Sequence, residues 1–440
     1  MPEFDQTLSL AAQHAQKGQL AQAQQLMEQA LDMDDSMSAR LQVANFGVGY
    51  GLVTRASQLY ESILSDDPHS VAAQAGLARV ATDTGQHSKA TAIYTELVKQ
   101  YPDSDTLRRN ALVALQYDPA VSEKERLQAA LDWGQWAIRR AGGSEQPPLQ
   151  PPLKPQQPQQ PQQRPRPQPR SHVDASIHAL PRVGFVSADF CQHTVGLFVK
   201  DILMALGQRW SVYVYHSRGL EDWVSKLIKT RCHWRSVVDM DDAALAKQIR
   251  HDEIDILVDL SGHTAGSRLT VFAHRPAPVM VSWLGYFATT GLPYMDAALL
   301  DPWSMPANPS ATFVEPLVSL PAGRFFYKPV PWAPKTVAAP PCVARDYVTF
   351  GCFNNTAKIN DAVIDLWARV LHAVPDSRLV LKWRTFNDVT YREHIEAAFV
   401  ARGISANRIE CRGSGFHVDV LKEYADIDIA LDPFPFTGGL

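Results

Sequence analysis

Lys358 is the residue most easily given chemical work. An apolar, β-favouring run (Val348, Phe350, Cys352, Phe353) stops at Asn354 and Asn355, and Lys358 follows just before a helical pattern that opens at Asp361. A buried strand would thus deliver polar groups and one cation to its carboxyl end, beside a helix start. In open α/β sheets ligands bind at that edge, and an ammonium next to free helix N–H groups suits a phosphate. A lysine in an ordinary surface loop would look the same on this segment alone, so its reading depends on the rest of the chain.

Three further segments have the same form. Ser187-Ala-Asp-Phe-Cys-Gln-His193 ends a strand, and a helix starts near Thr194. His193 there can act as acid, base or hydrogen bonder, or can simply cap the helix. Asp259-Leu-Ser-Gly-His263-Thr264-Ala-Gly266 offers His263 and Thr264 between glycines that permit close backbone approach. Trp283-Leu284-Gly285-Tyr-Phe-Ala-Thr289-Thr290-Gly291 again brings glycines and hydroxyls to a strand end. Asp239-Met-Asp241-Asp242 has the D-x-D form that can hold a metal–diphosphate, but it lies just before a helix, so capping explains it and no metal site is assigned.

The elements that would position these residues alternate strand and helix from Leu180 onward. Strands are predicted at 182–187, 210–215, 254–260 and 279–284, with helices at 195–206, 241–251 and 267–274. A second series has strands at 348–353, 378–383, 408–411 and 427–431. Two Rossmann-like halves of this kind describe a GT-B type α/β transferase among other α/β proteins. No G-x-G-x-x-G follows the first strand, which argues against a dinucleotide oxidoreductase.

The region before them is helical and repeats. Gly18, Gly51 and Gly85 recur at 33 and then 34 residues, each followed by an alanine (Ala23, Ala56, Ala90) and a bulky residue (Met27, Tyr60, Tyr94), with Pro68 and Pro102 ending the later repeats. Gly opens a turn, Ala lets helices cross closely, the bulky residue fills the gap, and Pro stops the second helix. Period and order resemble the tetratricopeptide repeat, whose groove binds extended polypeptide. A further pair, 105–116 and 123–140, is expected to cap the stack. The domains expected are thus repeats over 1–143, a Pro/Gln-rich, polyproline-II-like linker over 144–171, an N-terminal Rossmann-like half over 172–335 and a C-terminal half over 336–440.

Composition sets the outer limits. The 440 residues are 45% hydrophobic and 20% charged, as in a globular protein of two or three domains. A net charge of −4 gives no general attraction to nucleic acid or anionic membranes. Five scattered cysteines without a C-x-x-C pair point to a reducing compartment, hence a cytoplasmic protein. The start of the chain lacks a secretory apolar segment, and no apolar run approaches a membrane span.

Several motifs occur together and in order: Arg182-Val-Gly-Phe-Val-Ser-Ala-Asp-Phe-x-x-His193, Asp255-Ile-Leu-Val-Asp-Leu-Ser-Gly-His-Thr264, Arg275-Pro-Ala-Pro-Val279, Trp283-Leu-Gly-Tyr286, Phe353-Asn-Asn-x-x-Lys358 and Asp428-Ile-Ala-Leu-Asp-Pro-Phe-Pro435. With the repeats, the chain resembles the bacterial branch of the tetratricopeptide O-linked N-acetylglucosamine transferases, glycosyltransferase family 41, which is also like the plant SPINDLY type. The resemblance covers nearly everything outside the Pro/Gln linker. It implies a helical repeat solenoid followed by a GT-B transferase that moves a sugar from a UDP-sugar to Ser/Thr hydroxyls of proteins held by the repeats. Such transfer is inverting and needs neither metal nor other cofactor. It implies further that His193 lies in the sugar pocket, where a base role was once proposed, and that Lys358 binds the diphosphate and stabilises the leaving group. By the same token Asn355 contacts the nucleotide, Thr264, Leu284 and Gly285 line the sugar beside His263, and Thr437, Gly438 and Gly439 form the Gly-rich loop at the phosphates.

Departures qualify the sugar. Thr194 stands where the family has Pro, and Phe287-Ala288 where it has Pro-Gly, so GlcNAc is expected but glucose and fucose stay open. Arg250 stands near the place of a second family histidine, and no role is carried over to it. The chain stops at Leu440, directly after the Gly-rich loop, so the second half is expected to be incomplete and the chain a fragment. The alternative is an inactive fragment acting as a repeat-based binding scaffold.

Overall fold

A computed structural model describes residues 2–143, 180–337 and 339–438. The expected linker, 144–171, lies outside them. The chain opens with seven helices: α1 (Pro2–Gln16), α2 (Leu20–Met33), α3 (Met37–Tyr50), α4 (Val53–Asp66), α5 (Val71–Asp83), α6 (His87–Gln100) and α7 (Asp105–Tyr117). Successive helices pack in antiparallel pairs, and the repeat signature explains how. Gly18, Gly51 and Gly85 adopt left-handed φ values of 76°, 81° and 78° at the turns inside the pairs. Ala23, Ala56 and Ala90 are wholly buried at the helix crossings, with Met27, Tyr60 and Tyr94 filling the space beside them.

Next come α8 (Glu123–Arg140) and the first α/β series: β1 (Arg182–Ser187), α9 (Thr194–Leu206), β2 (Ser211–His216), α10 (Trp223–Lys229), β3 (His233–Ser236), α11 (Asp242–His251), β4 (Ile256–Asp259), β5 (Val279–Trp283), β6 (Ala297–Leu300) and β7 (Leu317–Ser319). They form a parallel sheet of order β3-β2-β1-β4-β5-β6-β7. The four predicted strands are β1, β2, β4 and β5. The other three escape a reading by hydrophobic runs because they are short and two of them lie at the edges. The helix expected over 267–274 is a 3-10 helix, Leu269–His274, ended by Arg275 in the left-handed region (φ 48°) just before Pro276.

The second series is β8 (Thr349–Cys352), α12 (Asp361–Ala373), β9 (Arg378–Lys382), α13 (Val389–Val400), β10 (Ile409–Arg412), α14 (His417–Glu423) and β11 (Ile429–Ala430), a parallel sheet of order β10-β9-β8-β11. All four predicted strands are present.

Contacts divide the protein into two compact units, Met1–Val121 with Pro329–Leu440, and Ser122–Lys328. This regroups the expected domains in two ways. The repeats and the second sheet share one hydrophobic core, in which Val43, Tyr60 and Ile63 join Ile364, Trp367 and Phe386. Gly51 and Gly85 have no room for a side chain there: a Cβ would fall 2.0 Å from the Arg384 carbonyl oxygen and 2.5 Å from that of Ile359. Helix α8, expected to cap the repeats, packs instead on the first-sheet unit. A Cβ on Gly134 would lie 1.9 Å from the Gly291 carbonyl oxygen, so helix and loop meet backbone to backbone.

Candidate active site

Each parallel sheet has one place where strand order reverses, and the loops leaving the carboxyl ends of the strands on either side part there to leave a crevice. In the first sheet this switch point lies between β1 and β4; in the second, between β8 and β11. The residues singled out from sequence fall on the loops at these two places, or, for Leu284 and Gly285, on the neighbouring loop after β5.

At the second sheet, Lys358 closes a short 3-10 turn, Thr356–Lys358, for which Asn355 is the N-cap; its side chain accepts from the Ala357 N–H at 3.1 Å. The Lys358 ammonium donates to Asn354 Oδ1 (3.1 Å) and to the Thr437 carbonyl (2.9 Å), and it lies 4.8 Å from the centre of the Phe436 ring. An ammonium has three N–H donors, so one remains for a ligand. Burial lowers its pKa, and nearby Asp432 and Cys352 pull it back up. Gly438 donates its backbone N–H to Asp432 (2.7 Å), and a Cβ at Gly438 would meet that carboxylate at 2.9 Å. Thr437 contributes its carbonyl rather than its hydroxyl to the lysine. Gly439 lies outside the described residues. The start of α12 is already capped: Asn360 accepts from Val363 N–H and donates to the Phe434 carbonyl (2.9 Å). The cation, more than the helix terminus, is therefore the anion-receptive feature here.

Beside this turn, at the carboxyl ends of β8, β9 and β10, lies a cavity of about 210 Å³ lined by Phe353, Lys382, Trp383, Gly413, Ser414 and Gly415. Lys382 is buried, donating to the Gly413 carbonyl (3.0 Å) and paired with Glu423 (2.9 Å). Sequence reading passed over it. The available signal was the polar Lys382-Trp383 end of an otherwise apolar strand.

At the first sheet, His193 is the N-cap of α9. Its Nδ1 accepts from the Val195 N–H (3.3 Å) and lies 3.7 Å from buried Asp189, which also faces Arg218 at 3.8 Å. The ring is 46% exposed. With Nδ1 accepting, a neutral ring carries its proton on Nε2 and presents a donor outward. His263 is placed differently from expectation. It is 2% exposed, its Nε2 bonds the Thr290 carbonyl (2.9 Å), and Trp133 of α8 and Tyr286 meet its ring edge to face. It is an internal strut rather than a ligand-facing group, because α8 covers it. The Thr264 hydroxyl donates to the Ser261 carbonyl (2.8 Å). Leu284 has a left-handed φ of 73°, uncommon for a residue with a branched side chain, and Gly285 is packed so closely that a Cβ would fall 1.8 Å from the Leu260 carbonyl oxygen.

Asp259 holds this loop. Its carboxylate accepts from Ser261 N–H (3.1 Å) and Gly262 N–H (2.8 Å), and burial pushes its pKa up to about 6, with Glu315 adding to the rise. Glu315, likewise raised by burial, accepts from Thr289 Oγ1 and Thr290 N–H, each at 2.6 Å. Of the acidic D-x-D candidate, Asp241 caps α11 through Ala244 N–H (2.7 Å), and its neighbour Asp242 pairs with Arg268 at 2.8 Å.

A helical-repeat array followed by two parallel α/β sheets, each with polar loops at its switch point, is the architecture of a repeat-bearing GT-B type transferase. Residues 168–328 match the glycosyl transferase family 41 profile and residues 49–115 a tetratricopeptide repeat profile. In its repeats and its first α/β series the chain is thus similar to the tetratricopeptide-repeat, O-GlcNAc-transferase-like proteins of glycosyl transferase family 41. The SPINDLY proteins of Arabidopsis thaliana and Solanum lycopersicum, both described as probable UDP-N-acetylglucosamine–peptide N-acetylglucosaminyltransferases, are 37% and 32% identical to it over 58% and 77% of its length. It spans about a third of those relatives, 29% and 34%. Among solved structures, a mutant of the Thermobaculum terrenum O-GlcNAc transferase superimposes with a TM-score of 0.80 at 29% identity, over 99% of this chain and 79% of that one.

Among the described residues no helix is long and apolar enough to cross a membrane.

Proposed function

We propose that this chain carries out UDP-sugar-dependent O-glycosylation of proteins, with GlcNAc as the sugar and Ser/Thr hydroxyls as acceptors that the repeats recruit. The names of the relatives support the reaction class. The observation that carries it to this chain is Lys358, a half-buried cation with a donor to spare at the switch point of the second sheet. In an inverting transfer the acceptor oxygen bonds to the anomeric carbon as the bond to UDP breaks, and negative charge builds on the departing diphosphate. An ammonium in a partly dehydrated site stabilises that charge more than one in water. The cavity between Phe353 and Trp383 suits the nucleobase, and Asn355 and the Thr437–Gly438 backbone border the phosphates. Transfer would be metal-independent, a reading supported by Asp241 being engaged in capping α11 and Asp242 in pairing with Arg268.

His193 would act through Nε2–H, donating to an oxygen of the sugar or acceptor. A base role at Nδ1 would break the α9 cap and place a proton against the positive end of a helix, which is unfavourable. Five free cysteines fit a reducing, cytoplasmic setting.

The test is transfer of labelled GlcNAc from UDP-GlcNAc to acceptor proteins by the 440-residue chain, with UDP binding measured by calorimetry. UDP binding that disappears in Lys358→Ala supports the reading. A wild-type chain that neither binds UDP nor transfers sugar rejects it.

A further inference from the structure

The turn that carries Lys358 rests on the repeat array. Thr356, fully buried, hydrogen-bonds the Asp83 carbonyl (2.7 Å) and the Thr385 hydroxyl (2.7 Å). Gly85 is pressed on the Ile359 carbonyl, and Arg384 pairs with Asp83 at 3.0 Å. Aromatic rings continue the contact up to the cation. The buried His87 ring lies 5.8 Å from Tyr117 and within 20° of parallel; Tyr117 stacks on Phe436 at 4.5 Å and 13°; and the Phe436 face carries the Lys358 ammonium. Tyr117 and His87 belong to α7 and α6, whereas Phe436 and Lys358 belong to the second sheet's loops. Without support behind it the ring could turn away from the lysine, which would then be held only by its bonds to Asn354 and the Thr437 carbonyl.

We propose that Tyr117, a residue of the repeat array, is a positioning residue for the donor site: by stacking behind Phe436 it fixes the ring on which Lys358 rests, so the array forms one wall of the site for a nucleoside diphosphate. This builds on the donor reading of Lys358. An array so placed does more than recruit acceptors, and loosening it weakens donor binding even when no acceptor is present.

The experiment uses the full chain with Tyr117→Leu, Tyr117→Phe and, from the other side of the same contact, Phe436→Leu. Two quantities are read without acceptor: UDP affinity by calorimetry, and the rate of reductive methylation at Lys358 by peptide mass spectrometry. Aromatic stacking of this kind corresponds to an effect of about two- to tenfold. The expected result is a UDP affinity about fivefold weaker and Lys358 methylation several-fold faster in Tyr117→Leu and Phe436→Leu, with Tyr117→Phe within twofold of wild type on both. Wild-type methylation in Tyr117→Leu overturns the proposal, as does an equal defect in Tyr117→Phe. A wild-type chain that fails to bind UDP rejects the donor reading instead, and the methylation rates then decide the clamp by themselves.

Discussion

The two switch points carry similar residue types but use them differently. At the first sheet the polar groups are turned on one another: Asp259 holds the backbone of its own loop, Ser187 bonds Ser261, Thr289 and Thr290 serve Glu315, and His263 is sealed under α8. His193, capping α9, instead reaches outward. At the second sheet the loop is held from outside by the repeats, and its cation keeps a free donor. Rigidity at the first sheet is thus built from buried polar networks, and at the second from packing against a separate element. Buried networks resist truncation poorly, because each lost partner strands another polar group.

The sharpest way to break this comparison is at the two signature residues. Lys358→Ala should lower turnover by roughly 100- to 1,000-fold, the scale for removing one stabiliser of developing charge, while leaving the melting temperature nearly unchanged. His263→Ala should do the reverse. It opens a cavity beside Trp133 and strands the Thr290 carbonyl, a loss of about 3–4 kcal/mol, whereas His193→Ala removes only a cap, about 1 kcal/mol. Thermal melts of the three variants check the ordering. A mild His263→Ala melt would mean that the loop is not supported as described.

A pH titration sharpens the same contrast. Folding raises Asp259 to about 6 from an ordinary 3.8. Between those values the folded chain keeps a proton that the unfolded chain has released. The contribution to stability is therefore full below about pH 4 and lost as pH rises through 6, at most about 3 kcal/mol in all. Asp259→Asn cannot titrate, so wild type should gain on it when melts are moved from pH 7 to pH 4.5. Comparing the two chains cancels the histidines, among them buried His216 and half-buried His274, whose lowered pKa values act in the opposite direction.

Much of this was legible in the sequence, for reasons particular residues make plain. The repeat glycines and alanines were readable because each has a local job, and the central strands because they are continuous apolar runs. Lys358 could be placed because an apolar strand, a polar stop and a helix start fix a sheet edge. What could not be read was whatever depends on which element lies on top. His263 and Thr264 are adjacent and equally polar, yet α8 covers one and leaves the other half-exposed. Nothing local in α8 tells that Gly134 meets Gly291, and nothing local in α7 that Tyr117 lies behind Phe436. Edge strands such as β3 and β7 were missed because half-exposed strands lose the apolar signal.

Asp388 gives the smallest and most diagnostic measure of how the repeats hold the second sheet. Its carboxylate caps α13 by accepting from Tyr391 N–H (3.1 Å), and it also accepts from the Thr54 N–H (2.7 Å) and hydroxyl (2.9 Å) at the start of α4. Asp388→Ala loses both roles, about 2 kcal/mol. Asn keeps an oxygen for the cap, but its amide nitrogen faces the Thr54 N–H, so Asp388→Asn isolates the contact with the array at about 1 kcal/mol. If docking of the repeats contributes to stability as the shared core implies, Asp388→Asn lowers the melting temperature measurably. It also speeds proteolysis within the repeats, a change that loss of a helix cap in the second sheet would not produce. An Asn variant as stable and as protease-resistant as wild type would show that the cap alone accounts for Asp388, and that the array is held by its apolar core and close backbone contacts.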